Sequence, residues 1–277
     1  MNFLHSADSV RYQRMTNAEL RESFCMESLF ESGALNLTYT DVDRAVVGAA
    51  VPLRHQPLSL PTHKELASDY FCERRELGVV NIGGAGAVAV DGKEFPMEKF
   101  DSLYVARGSK AVTFTSADDA VPAEFYLVSY PAHRVTETVH IPLDKANRVE
   151  LGSIDGSNER VICQSICPGV VDSCQLVMGI TRLANGSVWN TKPPHTHRRR
   201  TEVYLYFDFP KEERVFHFMG QPHETRALPL APKTAIASPH WSIHSGAGSC
   251  NYSFVWAMGG ENQQFDDMDH LQLGDLG

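Results

Sequence analysis

From about Leu35 onward the chain alternates short apolar runs with Gly, Pro, Asp and Asn. Ala45 to Val51, Leu77 to Ile82, Ser102 to Val105, Ala111 to Phe114, Glu124 to Val128 and Ser253 to Trp256 are such runs, rich in β-branched and aromatic residues. Runs this short, broken this often, predict many strands in a sandwich or barrel rather than helices. The best helical pattern lies within the first thirty residues. There Asn17 is placed to cap Ala18 to Phe24, and Leu20, Phe24 and Met26 to Phe30 supply an apolar stripe. The expected class is all-β with a few short helices, mainly N-terminal.

The run pattern occurs twice. Glu73-Arg74-Arg75-Glu76-Leu77-Gly78-Val79 echoes Arg198-Arg199-Arg200-Thr201-Glu202-Val203-Tyr204. Ser102 to Ser116 falls where Thr234 to Gly248 would, and Phe125 to Tyr130 matches Phe254 to Gly259. An internal duplication follows. Gly152 to Asn158 is the clearest linker-like run, so the expected halves are residues 1–150 and 151–277.

Only the second half carries a constellation of metal-ligating residues. His195 and His197 stand two apart, and in an extended chain they project from one face. Arg198 to Thr201 suits a hairpin loop, and Glu202 to Phe207 reads as the return strand, with Glu202 at its start beside the histidines. His244 completes the set from Ser238-Pro239-His240-Trp241-Ser242-Ile243-His244-Ser245-Gly246, with Ala235 to Ala237 as the strand before it. A lone His-x-His pair is common in ordinary surfaces and cores. Three imidazoles and a carboxylate together suit one borderline divalent ion such as zinc, with manganese, iron or nickel as alternatives. The first half has no His-x-His before Glu73 and no histidine in the segment matching His244.

Charge narrows the ligand. The net charge of −9 over 277 residues makes nucleic acid a poor partner. Lys192 and Arg198 to Arg200 nevertheless flank the ligands and make the local field suitable for a small anion. The arginine run reads equally as a solvated hairpin tip. Apolar content of 43% against 21% charged residues is that of a soluble globular protein. The N-terminus lacks a signal-like apolar run and no stretch is long enough to span a bilayer, so a cytoplasmic location is expected. The six cysteines form no Cys-x-x-Cys pair and read as reduced, mostly buried thiols.

The ligand set on a duplicated all-β chain resembles the bicupins, in which each half is a jelly-roll β-barrel. Longer motifs sharpen this: Asn185 to Thr191, the His-Thr-His segment, Glu202-Val203-Tyr204, Phe218 to Pro222, Ser238 to Gly246 and the tail Gly259 to His270. With Glu73 to Gly78 and Asn81 to Gly84 in the first half, they make the chain similar to the 5-keto-4-deoxyuronate isomerase family over nearly its whole length. Trp241 stands where cupins at large have glycine but fits this family, and Arg198 stands where the family is often acidic. The resemblance implies a zinc-dependent ketol-isomerase of pectin and uronate catabolism. It would convert 4-deoxy-L-threo-5-hexosulose uronate to 3-deoxy-D-glycero-2,5-hexodiulosonate as a homohexamer. For such a reaction Lys192 and Arg199 are candidates to bind the substrate carboxylate. Tyr204 is a candidate to relay a proton or hold a hydroxyl, or else fills the barrel as an aromatic. His240 is a candidate base beside His244, although its spacing also allows it to point elsewhere. Two rival chemistries suit the same ligands: a metal-dependent dioxygenase and a non-enzymatic sugar-binding cupin.

Overall fold

The computed structural model describes all 277 residues. It contains two seven-stranded sheets, two four-stranded sheets and one two-stranded ribbon, and the only α-helix, α1, spans Asn17–Phe24. The chain divides into two compact units. Unit 1 is Met1–Phe3, Ser28–Ala146 and Ser165–Met178, and unit 2 is Leu4–Glu27, Asn147–Gln164 and Gly179–Gly277. The expected division at 150/151 falls inside the strand Asn147–Leu151, and α1 belongs to the unit built mainly from the C-terminal half.

Unit 1 is a jelly-roll sandwich with an apolar interior. Leu77, Val79, Leu103, Val105 and Leu127 on its large sheet share one core with Val88, Phe95, Val112 and Phe114 on its small sheet. In unit 2 the strands that matter for the site are β1 (Arg160–Ile166), β2 (Val177–Leu183), β3 (His195–Thr196), β4 (Arg200–Phe207), β5 (Val215–Gly220), β6 (Thr234–Ser238), β7 (Ile243–Gly248), β8 (Ser253–Gly260) and β9 (Asp269–His270). The large sheet runs Asn147–Leu151, β1, β2, β8, β4, β6, Cys25–Met26. In the small sheet β7 and β5 are central, and β3 pairs only with β9.

Strand register places the two halves in correspondence. Val79 lies between Leu127 and Leu103 as Tyr204 lies between Trp256 and Ile236. Leu77 therefore holds the position of Glu202, and Arg75 that of Arg200. This agrees with the echo of Glu73 to Val79 in Arg198 to Tyr204. The match of Ser102 to Thr234 slips by one residue, because Leu103 is the counterpart of Ile236. Where unit 2 sets a carboxylate and a phenol inward, unit 1 sets Leu77 and Val79 into its core. An apolar core of this kind has no donors for an ion.

Two local expectations change. Thr16, not Asn17, caps α1: its hydroxyl accepts the Glu19 N–H at 3.3 Å and the Glu19 carboxylate accepts the Thr16 N–H at 2.7 Å, a capping box. The helix also stops at Phe24, because Cys25 is extended and Cys25–Met26 adds to the edge of β6. Leu20 and Phe24 are the buried stripe of the single amphipathic face.

All six cysteines are free thiols, and four of them are buried. Burial pushes the Cys25 and Cys72 thiols up to about 12. At pH 8 the reactive thiolate is then roughly one part in ten thousand of each. Iodoacetamide at that pH should leave both unlabelled in the folded protein, and six carboxamidomethyl groups should appear only after unfolding in guanidinium. Rapid native labelling of Cys72, read by peptide mass, would contradict its place in the unit 1 core.

Candidate metal centre

Three elements bring the four predicted ligands together. β3 supplies His195 and the turn after it His197, β4 supplies Glu202, and β7 supplies His244. His195 and His197 do not share one strand, since β3 ends at Thr196, and the return strand already begins at Arg200. All four side chains are buried, and their donor atoms lie within 4.8 Å of one another. His244 Nε2 is 3.0 Å from both His195 Nε2 and His197 Nε2 and 2.8 Å from Glu202 Oε2.

That packing fits a cation. Electron-pair donors crowded to 2.8–3.0 Å in a buried site repel one another unless an ion lies among them, and three imidazoles with one carboxylate would suit a borderline divalent ion. His197 Nδ1 is 2.9 Å from the Asp267 carbonyl oxygen, which can only accept. The ring proton is therefore on Nδ1, and the Nε2 lone pair faces the other ligands. Burial, reinforced by the other histidines, pushes His195 well down, and burial also lowers His244, so both rings are neutral. Burial alone would raise the Glu202 carboxyl, yet its net shift beside His244 and His197 is downward, so it is ionised. Neutral imidazoles beside an ionised carboxylate are what a divalent ion needs. The cluster could hold one metal.

Beside it lies a cavity of about 410 Å³, a size suited to a small molecule. His195, Glu202, Tyr204, Lys192 and Thr191 line it, with Phe254, Trp256 and Met258 of β8 as an apolar wall. Tyr204 is inward, as the alternation from Glu202 predicts, and its hydroxyl is 3.0 Å from Thr191 Oγ1. Lys192 reaches the cavity, with Nζ on the Gly156 carbonyl at 2.8 Å and 5.5 Å above the Trp189 ring. Two other candidates lie elsewhere. His240 is exposed in the turn between β6 and β7 and does not border the cavity. Arg199 is committed to Asp267 and Asp269, at 2.6 and 3.2 Å, and is also absent from the lining.

Several contributors escaped the sequence reading. Arg160, on β1, lines the cavity, as do Phe265, Met268 and His270 of the C-terminal tail. His270 pairs with His195 across the β3–β9 ribbon. Asp267 fastens the tail: its carboxylate takes Arg199 and the Asn262 amide, while its carbonyl takes His197 and the buried Arg200 at 2.7 Å. The tail motif was visible in the sequence, but nothing local assigned it to the ligands. Asp267→Ala should release the tail and the ring it orients. Metal affinity, measured by chelator competition, is expected to fall by about 10–100-fold with the fold retained. Unchanged affinity would mean that Arg200 alone holds the Asp267 carbonyl in place.

The comparisons with known proteins agree with this geometry. A model described as the KduI/IolB family matches residues 25–273. The 4-deoxy-L-threo-5-hexosulose-uronate ketol-isomerase of Lachnoclostridium phytofermentans is 50% identical over 261 residues, covering 94% of each chain. The protein of the same name from Pectobacterium carotovorum subsp. carotovorum is 44% identical over 277 residues, the whole of both chains. Among solved structures, an IolB-like protein from Salmonella typhimurium LT2 superposes with a TM-score of 0.71 at 13% identity, covering 87% of this chain and 94% of that one. Streptomyces albus HEPD, solved with Fe(II) bound, gives 0.60 at 10% identity over 87% and 77% of the two chains. At such identities the structural matches establish the all-β cupin fold alone. The sequence matches go further, and by them the chain belongs to the KduI/IolB family.

Proposed function

We propose that the protein is a metal-dependent ketol-isomerase. Its substrate would be 4-deoxy-L-threo-5-hexosulose uronate and its product 3-deoxy-D-glycero-2,5-hexodiulosonate. The observation that carries this is the four-ligand cluster bordering a small cavity that also contains two cations, in a chain half identical to proteins so named. Zinc is the proposed ion, since three imidazoles and one carboxylate suit it without redox chemistry. A homohexamer in the cytoplasm belongs to the same reading. No helix is long and apolar enough to cross a membrane.

The reaction moves hydrogen between adjacent carbons and between their oxygens. A bound divalent ion supplies Lewis-acid polarisation of the substrate oxygens. His195, His197, Glu202 and His244 would hold that ion, and the Asp267 carbonyl keeps the His197 lone pair inward. The Tyr204 hydroxyl, supported by Thr191, is placed to donate to a substrate oxygen. Phe254, Trp256 and Met258 exclude water from the apolar flank. The C–H proton needs an acceptor at the cavity edge, where His270 stands.

Metal-loaded protein should convert 5-keto-4-deoxyuronate without consuming oxygen, followed by NMR of the product and an oxygen electrode. Unchanged substrate would sink the proposal. Oxygen uptake with iron or copper bound would favour a dioxygenase, and tight binding without turnover a sugar-binding cupin.

A further inference from the structure

We infer that Arg160 is the residue that anchors the carboxylate of the substrate in the cavity, with Lys192 as its auxiliary. This rests on the reading of the cavity as a keto-uronate site.

Arg160 is a half-buried cation without a carboxylate partner. Its one hydrogen bond runs from Nη1 to the Asn158 carbonyl at 2.8 Å. Arg134, Arg148 and Arg199 pair with Asp172, Glu150 and Asp267, and the buried Arg75 and Arg200, which also bond to carbonyl oxygens rather than carboxylates, do not line the cavity. The only acid lining the cavity is Glu202, which is committed to the metal cluster. Placing a cation in partly apolar surroundings without a counter-ion is costly. Burial indeed lowers the Arg160 pKa from its ordinary value. At a cavity, unlike in the core, that counter-ion can arrive with the ligand.

Position and shape support the assignment. Arg160 lines the same cavity as Tyr204, whose ring centroid is 5.6 Å from that of His244. Arg160, Tyr204, His195 and Glu202 thus border one cavity. An open-chain uronate carries its carboxylate at one end and its reacting carbonyl region at the other. The planar fork of arginine also matches a carboxylate through two parallel hydrogen bonds, which the Lys192 ammonium cannot do. The Asn158 carbonyl fixes the fork from behind, and the turn that carries this carbonyl is tight. Gly152 has φ +83°, and a Cβ there would overlap the Asn158 carbonyl oxygen itself.

The test compares an unreactive sugar acid, galactonate, with the uncharged galactitol by isothermal titration calorimetry on metal-loaded protein. The wild type should prefer galactonate by tenfold or more, roughly the worth of a charged hydrogen-bonded pair. Arg160→Gln should erase that preference with metal content unchanged, and Arg160→Lys should keep part of it. Gly152→Ala, which shifts the Asn158 carbonyl, should weaken galactonate but not galactitol. In turnover, Arg160→Gln should raise KM for the keto-uronate more than it lowers kcat. The inference is overturned if Arg160→Gln keeps the galactonate preference, as it would were the metal or Lys192 the anchor. It is also overturned if wild-type protein shows no preference, or if Lys192→Gln alone abolishes it. Because galactonate binding needs no turnover, the anchor can stand or fall separately from the isomerase reading.

Discussion

His244→Ala should leave the protein folded but unable to retain a divalent metal. His244 lies at the centre of the ligand set, its Nε2 within 3.0 Å of a donor atom of each of the other three. Truncation removes one donor and opens a gap where the His244 ring met the Glu202 carboxylate. The remaining three donors would hold an ion weakly. Elemental analysis after desalting should find well under one metal per chain, and isomerase activity should fall by at least about 10³-fold, since Lewis-acid polarisation would be lost with the ion. The companion variant is His240→Ala. That ring is exposed, outside the cavity and outside the cluster, so metal and activity should stay within about twofold of wild type. A metal-replete, active His244→Ala would mean that the ion sits elsewhere. Activity surviving complete chelation of the wild type would make the metal structural.

The contrast between His244 and His240 shows how far the sequence could be read. The cluster that could hold a metal was legible because a fixed set of residue types at close spacing survives without knowledge of the fold. Duplication was legible for the same reason: Phe125 to Tyr130 and Phe254 to Gly259 occupy equivalent strands, and β4 repeats Arg75–Asn81 in register. What depends on distant pairing was not. Arg199 looked like a free cation beside the site, yet Asp267, nearly seventy residues later, takes it. Arg160 lay in an unremarked strand ahead of the site and gained its role only when β1 came alongside the cavity. Cys25 and Met26 continued the apolar stripe of a helix, but the unpaired edge of β6 drew them into a strand. Tertiary pairing outcompetes local propensity at such edges.

Tyr204→Phe is expected to separate chemistry from architecture. The ring packs against Phe254 at 4.9 Å between centroids and fills the barrel, a duty that phenylalanine can perform equally well. The register counterpart in unit 1 is Val79, which has no hydroxyl, so the sandwich itself does not require one. The hydroxyl is the part that remains to be explained. Burial and then the Glu202 charge push its pKa well above the ordinary phenol value, so it keeps its proton and can act as a donor but not as a base. Thr191, 3.0 Å away, aims it. A preorganised donor to an oxygen on which charge develops is worth about 10²–10³ in kcat. Tyr204→Phe should therefore keep its metal and its melting temperature, change KM by less than about fivefold, and lose kcat by that factor, with Thr191→Val showing a smaller loss in the same direction. Wild-type kcat in Tyr204→Phe would reduce the residue to a wall of the cavity. A loss of metal in the same variant would instead place the phenol among the groups that hold the ligands in position.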